Sequence, residues 1–390
     1  MFRRRGFRDG GGGRPWVPYA LIGLGAVVAV VVAVLAVREL TGGSSEASGP
    51  AKQTVKKAMW GFELADGTSL FPTYRDLGVG IFAIQARWEE IAPDRRPADP
   101  TDPRDPAYEW PPYLGRELRE ANRFGMKTQI LVMGTPPWAN GGKDWSWMPN
   151  DPADFADFTT AIARKYPRNH LWMIWGEPNR QPNFKPLTPV GLEQTGADDP
   201  LTPAQQLAPR NYALLLDFAY EALKAEDRRN LVIGGNTYTS AGTDNIRPYQ
   251  WIRYMRLPGG APPRMDMWGH NPWGNRLPDL DSPPSRNGTV SFPDLGRLVD
   301  ALDESFPSEH LKLYLSEWGV ATGFEDKDLQ QDLDADTADK WIKAAFDIAD
   351  WNRIYTLGWV HPADTDRNST GLLTADGERK SDYETYKNAD

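Results

Sequence analysis

The sequence predicts an α/β protein, a (β/α)8 TIM barrel preceded by one N-terminal transmembrane helix, and three observations carry that reading. Eight short, apolar, β-prone runs alternate with longer amphipathic stretches across residues 59–390, the pattern of βα units wound into a parallel sheet. No glycine-rich dinucleotide or phosphate loop follows any of those runs, which argues against an open doubly wound sheet. Ahead of them, residues 15–37 form an uncharged run dominated by Val, Ala, Leu and Gly.

That run is long enough to span a bilayer. Roughly 20 apolar residues cross about 30 Å of hydrocarbon as a helix, whereas the apolar region of a cleaved signal peptide is usually about 7 to 15 residues. Arg3, Arg4, Arg5, Arg8 and Arg14 precede it, and basic residues before a span hold the N-terminus in the cytoplasm. The expected organisation is therefore a cytoplasmic basic tail at 1–14, a signal anchor at 15–37, a flexible Gly- and Ser-rich linker at 38–58 and one folded domain at 59–390 outside the cytoplasm. A long signal peptide cut near Ala36 or Ala47 is the alternative, and it exports the same domain.

Composition narrows the function. With 40% hydrophobic and 25% charged residues the chain is of ordinary globular make-up, and a net charge of -9 argues against a nucleic-acid partner. The absence of cysteine excludes disulfides, thiolate metal ligands, a thiol nucleophile and a lipid-modified cysteine. His170, His270, His310 and His361 show no close pair at ligand spacing, so neither a metal nor another cofactor is expected. The 16 Trp residues are an excess that serves either a large core or the stacking of sugar rings.

The strands are expected at 59–64, 80–87, 127–134, 170–176, 231–238, 265–270, 311–316 and 354–360. Between them, Asn150 is placed to cap a helix in which Phe155, Phe158, Ile162 and Tyr166 recur on one face. Residues 203–225 bring Leu215, Phe218, Ala219 and Ala222 together, and 336–351 do the same with Ile342, Ala345, Phe346 and Ala349. Eight such units fit a barrel, which takes about 250 residues and more with insertions. Two Pro-rich loops, 93–112 and 184–207, fall on the side where barrel enzymes build their sites.

The fourth run ends Trp175-Gly176-Glu177-Pro178-Asn179 and the seventh ends Ser316-Glu317-Trp318-Gly319. In a parallel barrel both glutamates reach one face, although 140 positions separate them. Cleavage of a glycosidic bond needs two carboxyl groups, one to protonate the leaving oxygen and one to attack or to activate water.

In these segments the chain resembles the clan A glycoside hydrolases, the four/seven superfamily that includes the cellulase-like family five and the xylosidase-like family thirty-nine. The resemblance implies Glu177 as acid/base, Glu317 as nucleophile, retention of anomeric configuration and carboxyl groups about 5 to 5.5 Å apart. It implies that Arg87 orients the nucleophile. It also implies that His270 and Trp359 stand where the clan contacts sugar, and Thr135-Pro136-Pro137-Trp138-Ala139 looks like the clan's strand-three loop, with Trp138 itself a sugar platform after a strand end. Trp273 and Trp318 follow strand ends and are further sugar platforms, and Trp145 and Trp147 are candidates for the rim of a cleft. The clan has Asn before the acid/base and His-x-Tyr after strand six, but this chain has Gly176 and His270-Asn271-Pro272-Trp273, which leaves Asn179, Asn236 or Asn271 to supply the missing contact. Close to an ionised Glu317, Glu177 is expected to keep its proton.

The implied activity is hydrolysis of an oligosaccharide or polysaccharide of the cell envelope or secreted matrix. A non-catalytic carbohydrate-binding barrel and a transglycosylase are the alternatives. The residues also have plainer readings: the glutamates as rim ion pairs, Arg87 as a surface partner, His270 as a core residue. Sugar, linkage and oligomeric state have no signature in the sequence.

Overall fold

The computed structural model describes residues 49–61, 67–191, 199–239 and 242–389. The expected tail, membrane span and first part of the linker lie outside these, and no helix of the described residues is long and apolar enough to cross a membrane. From Pro50 onward the chain forms one compact unit.

Eight parallel strands close into a barrel in sequence order: β1 (Thr54–Trp60), β2 (Val79–Arg87), β3 (Lys127–Met133), β4 (Leu171–Ile174), β5 (Leu231–Tyr238), β6 (Met267–Asn271), β7 (Lys312–Trp318) and β8 (Ile354–Trp359). Closure is made by β1, where Met59 lies opposite Phe82 of β2 on one side and Trp359 of β8 on the other. A strand enclosed on both faces reads as a continuous apolar run, which is why 130–133 and 171–174 were legible as strands.

Each strand is followed by a main helix: α1 (Phe71–Asp76), α2 (Pro112–Arg123), α3 (Pro152–Lys165), α4 (Leu207–Glu226), α5 (Pro248–Tyr254), α6 (Leu295–Ser305), α7 (Ala335–Ala349) and α8 (Tyr383–Asn388), with single helical turns at Trp88–Ile91 and Pro137–Asn140 directly after β2 and β3. The cap of α3 is Asp151 rather than Asn150, its carboxylate accepting from the Ala153 amide, because the helix begins with proline at 152. In α4 the buried face carries Leu215, Leu216, Ala219 and Leu223, while Phe218 is exposed. The expected face in α7 is buried throughout.

Strand β1 begins five residues ahead of the run expected at 59–64, inside the stretch read as linker. The charged pair Lys56-Lys57 hid it. Lys57 is buried at 1% exposure, and its ammonium donates to the carbonyls of Leu77, Tyr386 and Lys387 at 3.3, 2.9 and 3.0 Å. It also stands 5.1 Å from the centroid of the Tyr386 ring, so its charge is satisfied without water. Lys56 donates to the carbonyls of Ala349 and Ile354.

Candidate active site

After Ile174 the chain leaves the β4 ladder through Trp175 and Glu177, both with left-handed backbone at φ 66 and 46, and Asn236 of β5 joins them at φ 42. Each such residue costs about 1–2 kcal/mol when it is not glycine, and strain of this kind gathers where side chains must be aimed. Here it binds two strand ends together, the Glu177 amide donating to the Asn236 carbonyl at 3.1 Å. Glu317 reaches the same place as the penultimate residue of β7. Both carboxylates line one cavity of about 630 Å³, together with Arg180, Tyr238, Trp273 and His361.

Glu177 is held by donors. Asn271 Nδ2 donates to Oε1 at 2.9 Å, while Arg180 Nη1 and Asn183 Nδ2 donate to Oε2 at 3.2 and 3.4 Å. Behind it, Ser316 Oγ lies 2.6 Å from Asn236 Oδ1 and 2.5 Å from Asn271 Oδ1. A hydroxyl has one hydrogen to give, and Asn236 Nδ2 is buried without a partner among the described residues. The conflict resolves with the Asn236 amide turned over to donate to Ser316 Oγ, Ser316 donating to Asn271, and Asn271 donating to Glu177. Four strands thus fix one carboxylate.

Glu317 is treated differently: it accepts no hydrogen bond among the described residues. Burial, followed by the charge of Glu177, pushes its pKa up to about 8 against a smaller opposing effect of Arg180. Burial also raises Glu177, but its three donors and the Arg180 charge pull the other way. Both carboxyls are thus raised by burial, and each one's charge disfavours ionisation of the other, so the pair shares a proton.

Of the residues expected to contact sugar, Trp273 lines the cavity and the others stand elsewhere. Arg87 is taken by Glu89 and by Glu90 at 3.2 Å and stacks 4.4 Å from the Trp145 ring; two acids on the turn that follows β2 claim it. Asn179 is spent on backbone, donating to the carbonyls of Tyr238 and Ile246 at 3.1 and 3.0 Å and accepting from the Tyr238 amide at 2.7 Å. His270 is fully buried between Thr237 Oγ1 and the Val290 carbonyl, both at 2.9 Å, and burial lowers its pKa to about 4, so the ring is neutral. Trp318 and Trp359 are core residues packed edge to face at 5.6 Å, each 1% exposed. Trp138 donates to the Ala92 carbonyl and packs edge to face on Trp88, and Trp147 lies 4.0 Å from the Lys143 ammonium. Asn236 acts from behind the cavity, through Ser316. Asn271, buried at 0% exposure, is spent on Glu177 and Ser316, so none of the three asparagines lines the cavity. Gly176 is not enforced by packing, since a Cβ there meets only ordinary contacts, the nearest being 3.4 Å from Leu131.

Sequence reasoning missed Arg180, Tyr238, His361 and the 326–329 stretch after β7. Arg180 was within reach: it stands three residues past Glu177 in the same motif, and its guanidinium stacks 4.2 Å from the Tyr238 ring. The 326–329 segment carries no periodicity, because Asp326 shapes it through bonds to the amides of Asp328, Leu329 and Ser369.

No protein-family model and no curated protein matches the chain. Solved structures do. They include a family 39 glycoside hydrolase from Bacteroides cellulosilyticus WH2 (TM-score 0.56, 15% identity, 86% of this chain and 63% of that one) and a glucosidase from Croceicoccus marinus (0.58, 15%, 87% and 67%). A monomeric beta-xylosidase from Caulobacter crescentus CB15 matches with 0.54, 16%, 87% and 68%. The chain spans 63–68% of the length of these structures. At this level of identity the likeness is one of fold: the chain is a (β/α)8 barrel of the architecture that family 39 glycoside hydrolases use, the type its strand-end motifs resemble.

Proposed function

We infer that the chain is a membrane-anchored, extracytoplasmic glycoside hydrolase that cleaves O-glycosidic bonds in cell-envelope or secreted polysaccharide with retention of configuration. The observation that carries this reading is the convergence of Glu177 and Glu317, from the ends of β4 and β7, on one cavity of sugar size. Glu317 attacks the anomeric carbon as the bond to the leaving oxygen breaks, and the proton of Glu177 passes to that oxygen. Water then attacks the same carbon, gives its proton to Glu177 and releases the Glu317 carboxylate from the ester. Attack requires the shared proton on Glu177 and an ionised Glu317, so substrate must complete the proton's transfer to Glu177. An acceptor oxygen beside Glu177 and hydroxyl donors beside Glu317 favour that transfer.

The test is hydrolysis of a panel of aryl glycosides and purified envelope glycans by the full chain, with the product anomer read by NMR. Glu317→Gln is expected to lose several orders of magnitude in turnover while still binding. Unchanged hydrolysis in that variant removes the mechanism, and an inverted product removes the double displacement. A non-catalytic saccharide-binding barrel is the second reading, favoured by a Glu317 that has no hydrogen-bond donor beside it among the described residues; it predicts affinity without turnover throughout the panel. The anchor, read from the 15–37 run, is tested by resistance to alkaline extraction from membranes, and the outside location by protease access in intact cells.

A further inference from the structure

We propose that a groove at the end of the barrel remote from the carboxylates is a second saccharide-binding site, selective for sugars bearing an anionic group. The groove has a volume of about 900 Å³ and runs between α2 and the end of α3. It reaches Thr128 at the start of β3 and Asn169 just before β4. All strands are parallel, so these are N-terminal strand ends, whereas Glu177 and Glu317 stand at C-terminal ends.

Four cations line it. Arg123 is paired with Glu120 at 3.4 Å, while Arg119, Lys165 and Arg168 have no acidic partner among the described residues. In a chain of net charge -9 such a concentration of unneutralised charge runs against the composition and complements an anion. Guanidinium groups match the planar fork of a carboxylate or the edge of a phosphate. Gly115 makes room for one of them: a Cβ there would stand 3.2 Å from Arg119 Nη1 and 3.8 Å from the Tyr166 ring.

The rest of the lining suits a sugar rather than a bare ion. Trp110 forms a wall, stacked on Phe158 with 6.2 Å between centroids and 12° between planes, and the Lys165 ammonium lies 5.4 Å from its centroid. Such a ring takes the C–H face of a pyranose while the cation beside it meets a charged substituent. Asn169, buried at 3% exposure in its floor, donates through Nδ2 to the Leu171 carbonyl at 2.9 Å, while its Oδ1 has no donor among the described residues. A concave site of this shape favours a chain of rings over a flat bilayer.

Titration calorimetry on the full chain carrying Glu317→Gln, which blocks turnover, tests the assignment. The probes are an oligogalacturonate, a poly(glycerol phosphate) bearing sugar, a neutral oligosaccharide of equal length and phosphatidylglycerol vesicles. At least one anionic saccharide is expected to bind, the neutral one about tenfold or more weakly, with affinity falling as salt rises from about 0.05 to about 0.5 M. Adding Arg119→Ala and Arg168→Ala, both at exposed positions, is expected to lower affinity about tenfold or more with an unchanged melting temperature. Trp273→Ala, in the carboxylate cavity, is expected to leave this binding intact. Binding to neither anionic saccharide, equal binding of the neutral one, binding to the vesicles alone, or loss through Trp273→Ala rather than the arginine pair each overturns it. Because no readout depends on hydrolysis, failure here is distinct from failure of the hydrolase reading.

Discussion

Replacing Arg180 by Met removes a cation that acts on both catalytic carboxylates while keeping a side chain of similar length. Arg180 Nη1 donates to Glu177 Oε2 at 3.2 Å, and its charge opposes the raised pKa of both groups. A hydrogen bond to a charged group is worth about 1.5–3 kcal/mol, and one pKa unit corresponds to about 1.4 kcal/mol, so the loss amounts to about one to two units. The sign follows directly: without the cation the ionised carboxylates are less stable, protons are held to higher pH, and both values rise. The working form carries one proton on the pair, so activity in the wild type falls where that last proton leaves, near the value of about 8 for Glu317. In Arg180→Met the alkaline limb of the kcat/KM profile is expected to move upward by about one unit or more. The profile is measured on an aryl glycoside that the wild type hydrolyses, and the ¹³C carboxyl resonances, which need no turnover, are titrated beside it. An alkaline limb that stays in place, or moves down, refutes the reasoning.

Three further outcomes are expected. Glu317→Gln stabilises the fold at alkaline pH: a carboxyl raised from 4.5 to about 8 contributes stability below its ordinary value that is lost as pH rises toward the raised one, so the variant gains about 2 to 4 kcal/mol over the wild type at pH 8 and little at pH 4.5. Urea unfolding at the two pH values decides this, and a gain independent of pH would falsify it. Trp273→Ala raises KM about fivefold to tenfold through lost stacking and leaves the melting temperature near its original value, whereas Trp359→Ala costs about 3–5 kcal/mol of stability; the opposite pattern would mean that the core and the sugar platform have been exchanged. Asn179→Ala abandons three backbone partners at the ends of β4 and β5 and is expected to cost about 2 to 4 kcal/mol, read by thermal denaturation; an undiminished melting temperature would return Asn179 to the list of sugar contacts.

The ring of strands was legible because enclosed parallel strands are apolar on both faces, and seven of the eight fall within a few residues of where hydrophobicity places them. The eighth, β1, escaped because Lys57 looks like a surface residue until three carbonyls and an aromatic ring are folded around it. At the site, the sequence locates backbone positions better than side-chain directions. Glu177 and Glu317 converge because strand ends must. Arg87 also stands at a strand end, yet local acids capture its guanidinium before it can cross the barrel mouth. His270, Trp318 and Trp359 turned inward because a neutral imidazole with two partners and large apolar rings are more stable dry than wet. The chain Asn236, Ser316, Asn271 joins three strands through side chains whose spacing in sequence carries no trace of it.

The bond from Lys57 to the carbonyls of Tyr386 and Lys387 ties the first strand to the final turn of helix, across 329 and 330 residues. Seating of the Lys57 ammonium and docking of the α8 helix against β1 are therefore one event, so a change that loosens either end of the barrel loosens the other.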